Sequence, residues 1–247
     1  MNITKDRWNE AQSFEKKEWL VDPKIIELEL DEVTKKYTEV FGEYKKTLQL
    51  TDNSKIIDVG CGPTCASRLF EKGIKYGIDP LAHELGYEGI HEGVTISAQA
   101  AEQTDFIDKN FDLAICINAI DHTHDPDAVL SETSRILIDD GYLILSSYVY
   151  NSFIVFVRNF CEVTGIKKNV GHPHVFTEHS IKKVIGKYFD ILDTKILYTG
   201  MSPTDYGKSF EVIERNPLLA RIILFINYKI LGQRYYVKNF VCLAKKK

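Results

Sequence analysis

Residues 56–64 read IIDVGCGPT, an apolar run that ends in a glycine-rich turn. The run is typical of a buried strand, and the glycines let the backbone turn tightly and let a ligand approach it without a Cβ in the way. Asp58 is the unusual residue, because a carboxylate is costly in a buried strand unless it has a partner. The stretch therefore predicts a turn that holds a ligand or is itself held by the aspartate.

Short apolar segments alternate with helical ones from residue 55 onward, which predicts right-handed βαβ units and a parallel sheet. CASRLFEKG (65–73) and DPDAVLSETSRIL (125–137) have the helical period. Such sheets bind ligands beyond the carboxyl ends of their strands, which is where Gly60 and Gly62 stand. Strands are predicted at KIIDV (55–59), IKYGID (74–79), GVTISA (93–98), FDLAICIN (111–118), GYLILSSY (141–148), FDILDTKILYT (189–199) and YYVKNFVCLAK (235–245).

Ahead of the sheet, apolar residues recur every three or four positions and predict one long helix. Asp22-Pro23 has the pattern of a helix cap and first helical residue, and a kink or fraying is expected near Gly42. The chain is accordingly divided into an N-terminal helical cap, residues 1–50, and a domain of residues 51–247 that contains the sheet.

Two stretches, 151–176 and 200–234, break the alternation and are interpreted as helical insertions that cover or edit a site. Within the second, NPLLARIILFINYKIL (216–231) is markedly apolar but too interrupted to span a bilayer comfortably. A lid, a dimer interface and an interfacial helix are the alternatives for this segment, and the lack of a basic polar face disfavours the last.

The composition of the 247 residues excludes several classes of protein. A hydrophobic content of 44% is ample for a core, and a net charge of −4 argues against a general polyanion binder, so no nucleic acid partner is expected. The five cysteines form no CxxC pair, which suits a reducing compartment. The N-terminal segment lacks the apolar core of a signal peptide, and the expected location is the cytoplasm.

Five motifs, taken together, resemble the class I S-adenosylmethionine-dependent methyltransferases of the type-11 group. They are IIDVGCGPT (56–64), YGIDP (76–80), AEQTDF (101–106), FDLAICINAIDHTHDP (111–126) and RILIDDGYLILSSY (135–148). The resemblance implies a Rossmann-like α/β fold: a seven-stranded, mostly parallel sheet with helices on both faces, plus N-terminal helices and late helical insertions. It also implies that the last strand runs antiparallel between strands five and six, and that S-adenosyl-L-methionine is the cofactor.

The resemblance assigns the carboxyl ends of the first two strands to the cofactor. Asp58 and the turn of Gly60, Cys61 and Gly62 would lie at its amino-acid end, where a carboxylate favours a cationic amino group and sulfonium. Asp79, which closes the second strand, would accept both ribose hydroxyls.

The adenine end departs from the family pattern. Relatives carry an aspartate where this chain has Ala100, which cannot accept a hydrogen bond from the adenine amino group. Recognition of adenine is therefore assigned to the backbone of Ala101 and the side chain of Glu102 or Gln99. Asn118, at the end of the fourth strand, is expected beneath the cofactor.

The candidates for a general base that removes a hydroxyl proton are three histidines, His122, His172 and His174. His122 aligns with the histidine of the family's Asp-His pair, where a loop-ordering role is the alternative. The other two stand in GHPHVFT (171–177), where relatives place a substrate loop. A metal site formed by His122, His124 and Asp125 would lack a third anchored ligand, so no metal is predicted.

The predicted function is methyl transfer from S-adenosylmethionine to a small molecule, with oxygen of a sugar, lipid-linked or secondary-metabolite substrate as the leading acceptor. A non-catalytic S-adenosylmethionine-binding regulatory or interaction protein is the alternative. A nicotinamide dehydrogenase is disfavoured by Asp58 and by Cys65, which replaces the third small residue of that motif.

The acceptor pocket is expected between the N-terminal helices, the loop 172–177 and the insertion 200–234. The protein is expected to be a monomer or homodimer without a transmembrane segment, and peripheral membrane contact is left open.

Overall fold

The structure is a computed structural model, and it describes residues 3–20, 23–165, 171–200 and 217–247. Its centre is a seven-stranded sheet in the order β3-β2-β1-β4-β5-β7-β6. All neighbouring strands are parallel except at β7, which is antiparallel to both β5 and β6, so the predicted fold and strand placement are confirmed. The strands are β1 (Lys55–Val59), β2 (Ile74–Ile78), β3 (Val94–Ser97), β4 (Phe111–Ile117), β5 (Leu137–Tyr150), β6 (Phe189–Gly200) and β7 (Val237–Lys246).

Seven α-helices are found in the described part of the chain. They are α1 (Lys5–Leu20), α2 (Pro23–Leu48), α3 (Ala82–Leu85), α4 (Pro126–Ile136), α5 (Ser152–Thr164), α6 (Glu178–Ile185) and α7 (Pro217–Phe225). A π-helical turn, Ile226–Ile230, continues α7. Residue 22, the expected cap of α2, lies outside the described residues, and α2 runs through Gly42 without interruption.

The segment 65–73 is not the helix that its periodicity predicts. Only a short 3₁₀ helix forms, Ala66–Leu69. Cys65 just before it has φ of 35°, a left-handed backbone conformation, and Phe70 just after it is extended. Because the turn after β1 bends the chain so sharply, one turn of helix is all that fits before β2 begins.

The core has two layers, one on each face of the sheet. Helices α4 and α6 pack on one face through apolar side chains that include Val129, Leu130 and Ile181. Helix α2 and the 3₁₀ helix pack on the other face, where Phe41 stacks on Phe70 with ring centroids 4.9 Å apart. The expected helices on both faces are therefore present, whereas a domain boundary at residue 50 stays a prediction.

The late helices pack at the carboxyl end of β5, where β7 begins. Ile154 of α5 and Ile223 of α7 are buried there with Tyr236. The outer faces of both helices keep large apolar side chains exposed, among them Phe156, Phe160, Val163, Ile222 and Phe225. No described helix combines the length and the apolar character that a membrane crossing requires.

A buried hydroxyl fixes α2 to the sheet. Tyr37 is 1% exposed, and its hydroxyl lies 2.7 Å from Ser146 Oγ of β5 and 3.4 Å from Asn239 Oδ1 of β7. Asn118, just after β4, donates from Nδ2 to the same hydroxyl at 3.4 Å and accepts from Asn239 Nδ2 at 3.1 Å. Since buried polar atoms are costly without partners, this network sets where α2 lies over the strand ends.

Tyr37→Phe is expected to lower the free energy of unfolding by about 1–2 kcal/mol, because Ser146, Asn118 and Asn239 would lose a buried partner. Urea unfolding followed by circular dichroism measures it, with Tyr235→Phe at a partly exposed position as the matched control. A stability equal to that of the parent protein would show that the network does not hold α2 in place.

Candidate functional site

A cleft of about 190 Å³ opens at the carboxyl ends of β1, β2 and β4. Its floor is formed by the turn after β1 and by the segments that follow β2, β3 and β4, and its other wall by α1 and α2. It contains seven of the eight residues predicted to bind the cofactor: Gly60, Cys61, Gly62, Asp79, Ala101, Glu102 and Asn118.

The two glycines of the turn have left-handed backbone conformations that disfavour other residues. Gly60 has φ of 68°, and a Cβ built there would lie 2.5 Å from the Cβ of Ala119, so close packing against the β4 loop requires glycine. Gly62 has φ of 50°, and nothing lies within 4 Å of a Cβ built on it. The turn is tied to β2 because Gly60 N and Cys61 N both donate to Ile78 O, at 2.8 and 3.0 Å.

Asp58, the eighth predicted residue, does not line the cleft; it lies behind the turn. It is 1% exposed, and Oδ2 accepts from Ser67 N at 3.1 Å. Its Oδ1 is buried without a hydrogen-bond partner. Burial raises the pKa of Asp58 to about 7, although backbone hydrogen bonds from Ser67 and Ala66 act in the opposite direction. The aspartate braces the turn, and one of its oxygens keeps the capacity to accept another donor.

Asp79 stands in the cleft wall and also holds backbone. Its Oδ2 accepts from Gly62 N at 3.1 Å and its Oδ1 from Leu81 N at 2.9 Å. Burial raises its pKa, against hydrogen bonds that include one from the Tyr87 hydroxyl. Since a carboxylate offers about four acceptor positions, these contacts leave room for a ligand hydroxyl.

The segment after β3 reaches the cleft at the expected place. Glu102 Oε1 accepts from His124 N at 2.6 Å and from Asp125 N at 3.2 Å, so this side chain ties the β3 and β4 loops together. Gln99 does not line the cleft; its amide bonds to Ser97 Oγ and to Asp105 N.

Next to the cleft, two carboxylates and two imidazoles form a cluster. His172 Nδ1 lies 2.8 Å from Asp121 Oδ2, and the His122 and His172 rings are 4.3 Å apart. His122 Nδ1 lies 3.2 Å from Glu15 Oε1 of α1, and His122 Nε2 lies 3.9 Å from Asp121 Oδ1. Glu15 and His122 line the cleft, whereas Asp121 and His172 lie behind them.

The members of this cluster change one another's pKa. Burial would lower the pKa of His122, but the Asp121 and Glu15 carboxylates outweigh it and raise that pKa to about 9. Burial would raise the pKa of Asp121, but His122 and the bond from His172 lower it to about 2. Burial and the charge on His122 lower the pKa of His172.

His174, the third predicted base, lies away from the cleft and has a structural environment. Its Nε2 lies 3.0 Å from Thr123 O, and its backbone N donates to Asp121 O at 3.2 Å. The side chain thus holds the loop after β4 against the segment before α6.

Helix α1 supplies residues that the sequence analysis missed. Trp8, Gln12, Glu15 and Trp19 line the cleft, at a spacing of four, three and four residues that puts them on one helix face. Helix α1 is held by polar contacts: Gln12 Nε2 donates to His122 O at 3.4 Å, and Arg7 Nε pairs with Glu162 of α5 at 2.7 Å. That face mixes aromatic and polar residues, so it shows no apolar periodicity in the sequence. The feature that could have identified it is that both tryptophans of the chain fall on the same helix face.

The cleft is acidic. Four carboxylates line it, those of Glu15, Glu29, Asp79 and Glu102, and no lysine or arginine of the described residues does so. Such a site attracts a cationic ligand and repels a pyrophosphate. The four carboxylates and the open side of Gly62 therefore fit S-adenosylmethionine better than a nicotinamide dinucleotide.

Two expected walls of the acceptor pocket are not seen at this cleft among the described residues. None of residues 172–177 lines the cleft, and neither do the described residues of 200–234; residues 201–216 lie outside the described part. The described parts of these segments lie beside the cleft instead: His172 contacts Asp121 behind it, and Ile223 packs with Tyr150 and Tyr236 at the carboxyl end of β5. The N-terminal helices supply the expected cover, and the wall from 200–234 stays a prediction.

Comparison with known proteins finds a match to a methyltransferase domain and solved structures of the same fold. Residues 57–145 match a family described as a methyltransferase domain. The YcgJ protein from Bacillus subtilis has the same fold, with a TM-score of 0.57 at 16% identity, covering 83% of this chain and 97% of that one. The [4+2]-cyclase SpnF also has it, with a TM-score of 0.54 at 18% identity, covering 85% and 80%. Residues 57–145 thus match a methyltransferase domain, and the chain shares the fold of these two proteins.

Curated relatives are named as O-methyltransferases. The chain is 25% identical over 144 residues to a ubiquinone biosynthesis O-methyltransferase of Hydrogenovibrio crunogenus, covering 53% of this chain and 59% of that protein. It is 28% identical over 132 residues to the protein of that name in Actinobacillus pleuropneumoniae serotype 7, covering 49% and 52%. The chain therefore spans little more than half the length of these two relatives.

Asp79→Ala is expected to weaken S-adenosylhomocysteine binding about 10- to 100-fold, because both the ribose acceptor and the anchor of Gly62 N are lost. Calorimetry measures it, with Asp105→Ala at an exposed position as the control. Unchanged affinity in a folded variant would contradict the placement of the ribose.

Affinity for S-adenosylhomocysteine is expected to rise from about pH 6 to about pH 8, because ionised Asp58 favours the ligand's amino group. Asp58→Asn should remove most of that rise. Without ligand, the stability of the fold should change with pH in the opposite direction. Because the pKa of Asp58 is raised in the folded state, Asp58 contributes its full stabilisation below its unfolded pKa, and this stabilisation is lost as pH rises through about 7. Calorimetry at a series of pH values measures the ligand affinity, and thermal unfolding measures the stability. If affinity and melting temperature change with pH equally in the parent protein and in Asp58→Asn, the role of Asp58 is contradicted.

Proposed function

We propose that the protein is an S-adenosylmethionine-dependent O-methyltransferase that acts on a hydroxyl of a small molecule with an aromatic or apolar portion. The observation that carries the proposal is the acidic cleft at the carboxyl ends of β1, β2 and β4, covered by two tryptophans and bordered by His122. The names of the curated relatives support oxygen as the acceptor atom.

The cofactor, when bound, supplies a methyl group on a positively charged sulfur. The turn Gly60–Gly62 would hold its amino-acid end, with Asp58 behind the turn, and Asp79 its ribose. Ala101 and Glu102 lie where the adenine is expected, and Asn118 lies beneath. The acidic lining favours the charged form of this ligand, and methyl transfer depends chiefly on aligning the acceptor with it.

The acceptor is expected against α1. Trp8 and Trp19 offer flat apolar surfaces, and an aromatic or sugar ring can stack on them. With Val33 of α2 they also keep water from the reacting atoms. An aromatic, lipid-linked or secondary-metabolite hydroxyl suits this surface, and so does a sugar.

The hydroxyl proton is expected to leave toward the cluster beside the cleft. Glu15 and His122 are the members that border the cleft, and His172 acts behind them through Asp121. Because the pKa of His122 is raised to about 9, the proton is taken by the neutral imidazole that forms as pH approaches that value, and kcat should rise with pH accordingly. His122→Ala and His172→Ala should each lower kcat by about 10²-fold or more while S-adenosylhomocysteine affinity stays within about twofold. His174→Ala should instead lower the melting temperature, because it frees the Thr123 carbonyl. Full activity in both of the first two variants would contradict the assignment.

Tryptophan fluorescence tests the acceptor site directly, because the chain's two tryptophans both line the cleft. Binding of S-adenosylhomocysteine and of hydroxylated aromatic acceptors should change the emission. Trp8→Phe and Trp19→Phe should raise KM for the acceptor about 2- to 10-fold, with kcat little changed. Formation of S-adenosylhomocysteine from a panel of phenols, sugars and polyprenylated phenols identifies the class, with Phe160→Leu on the exposed face of α5 as the control.

A non-catalytic or differently catalytic protein is the second candidate, favoured by one comparison. The cyclase SpnF has this fold, so the fold alone does not establish methyl transfer. The exposed apolar side chains of α5 and α7 would then serve contact with a protein or a membrane surface. Tight binding of S-adenosylmethionine with no product from any acceptor of the panel would favour this candidate.

A further inference from the structure

Three side chains beside the cleft have the composition of a metal site. Asp121 and His122 follow β4 and His172 precedes α6, and one ligand atom from each lies within 4.8 Å of the others. His172 Nδ1 to Asp121 Oδ2 is 2.8 Å and His122 Nε2 to Asp121 Oδ1 is 3.9 Å. In a tetrahedral site with bonds of about 2.1 Å, ligand atoms lie about 3.4 Å apart. The separation of His122 Nε2 from Asp121 Oδ1 is close to that value, and the shorter His172 contact, to the other Asp121 oxygen, is a hydrogen bond that an ion would replace.

We propose that Asp121, His122 and His172 bind one divalent transition-metal ion of the Zn²⁺, Fe²⁺ or Mn²⁺ type. Two imidazoles and one carboxylate suit these ions, and this set leaves coordination positions open. Mg²⁺ and Ca²⁺ are disfavoured, because they prefer oxygen ligands. The set differs from the sequence motif His122, His124 and Asp125, because His172 comes from a segment far along the chain.

An unpartnered oxygen marks the position of the ion. Asp121 is 6% exposed, and its Oδ1 is buried without a hydrogen-bond partner. The atom faces His122 Nε2 at 3.9 Å, which is too far for a hydrogen bond. A buried carboxylate oxygen without a partner is costly, and an ion in this gap would satisfy it together with both imidazoles.

Glu15 adds a carboxylate behind one of the ligands. Its Oε1 lies 3.2 Å from His122 Nδ1, the nitrogen opposite to the one that faces Asp121. A carboxylate that accepts a hydrogen bond from the second nitrogen of a metal-binding histidine orients the ring and makes it a stronger ligand. Here His122 Nδ1 makes no aligned hydrogen bond, so a small rotation of the ring or of Glu15 would form that contact. Helix α1 would thus complete the metal site as well as the cleft.

The location gives the ion a role at one end of the cleft. His122 lines the cleft, so an open coordination position there is reachable by an acceptor hydroxyl, whose pKa a bound ion would lower. This consequence rests on the proposed methyl transfer, whereas the binding of the ion does not.

The test is metal titration of the full chain after treatment with a chelator. Calorimetry with Zn²⁺ and visible absorption with Co²⁺ should show about one ion per chain with nitrogen and oxygen ligands. Asp121→Asn and His172→Gln should weaken binding at least about 100-fold, and Glu15→Gln about 10-fold. His83→Gln, at an exposed histidine of α3, should bind as the parent does.

The variants must first bind S-adenosylhomocysteine or melt as the parent does, which shows that they are folded. Absence of Zn²⁺ and Co²⁺ binding, or binding that Asp121→Asn and His172→Gln leave unchanged, overturns the metal proposal. If the chelated protein also transfers methyl groups at full rate, the cluster is an ion-pair network and the proposed function stands. If the metal binds as predicted but no acceptor is methylated, the proposed function fails and the metal site stands.

Discussion

Carboxylates that hold backbone N–H groups are the constraint on which the site depends. Asp58 binds Ser67 N, Asp79 binds Gly62 N and Leu81 N, and Glu102 binds His124 N and Asp125 N. Each loop at the carboxyl edge of the sheet would otherwise bury amide groups without partners, at a cost of about 1–3 kcal/mol each. Two of them, Asp79 and Glu102, also line the acidic cleft, so interactions that shape the loops help to select a cationic ligand.

Helix α1 closes the cleft by a different physical principle. It buries Ala11 but is otherwise held by ion pairs and hydrogen bonds at its edges, including those of Arg7 and Gln12. Exposed or partly exposed ion pairs contribute little stability. Helix α2, by contrast, is fixed by Tyr37 and a continuous apolar face.

Much of the fold could be predicted from the sequence because buried parallel strands leave short apolar runs. β1, β2 and β4 begin and end close to where those runs do. The antiparallel β7 came from family resemblance, since its apolar run is compatible with either direction. The helix expected at 65–73 failed because tertiary constraint on the turn, which sets the backbone of Cys65, overrode periodicity.

The cofactor side of the site was predictable because its residues follow strand ends in sequence order. The cluster of Glu15, Asp121, His122 and His172 was not, because α1, the β4 loop and the segment before α6 meet only in the folded chain. Patterns within each segment showed a histidine or a carboxylate but not its partner. The face of α1 that lines the cleft was not predicted for a different reason: its tryptophans alternate with polar residues, so the face has no apolar pattern.

The central claim is that the acidic cleft binds S-adenosylmethionine. Isothermal titration calorimetry of the full chain with S-adenosylmethionine, S-adenosylhomocysteine and NAD tests it most directly. The account predicts that both sulfur ligands bind one per chain and that NAD does not bind. Binding of NAD, or failure of both sulfur ligands to bind the folded protein, would contradict it.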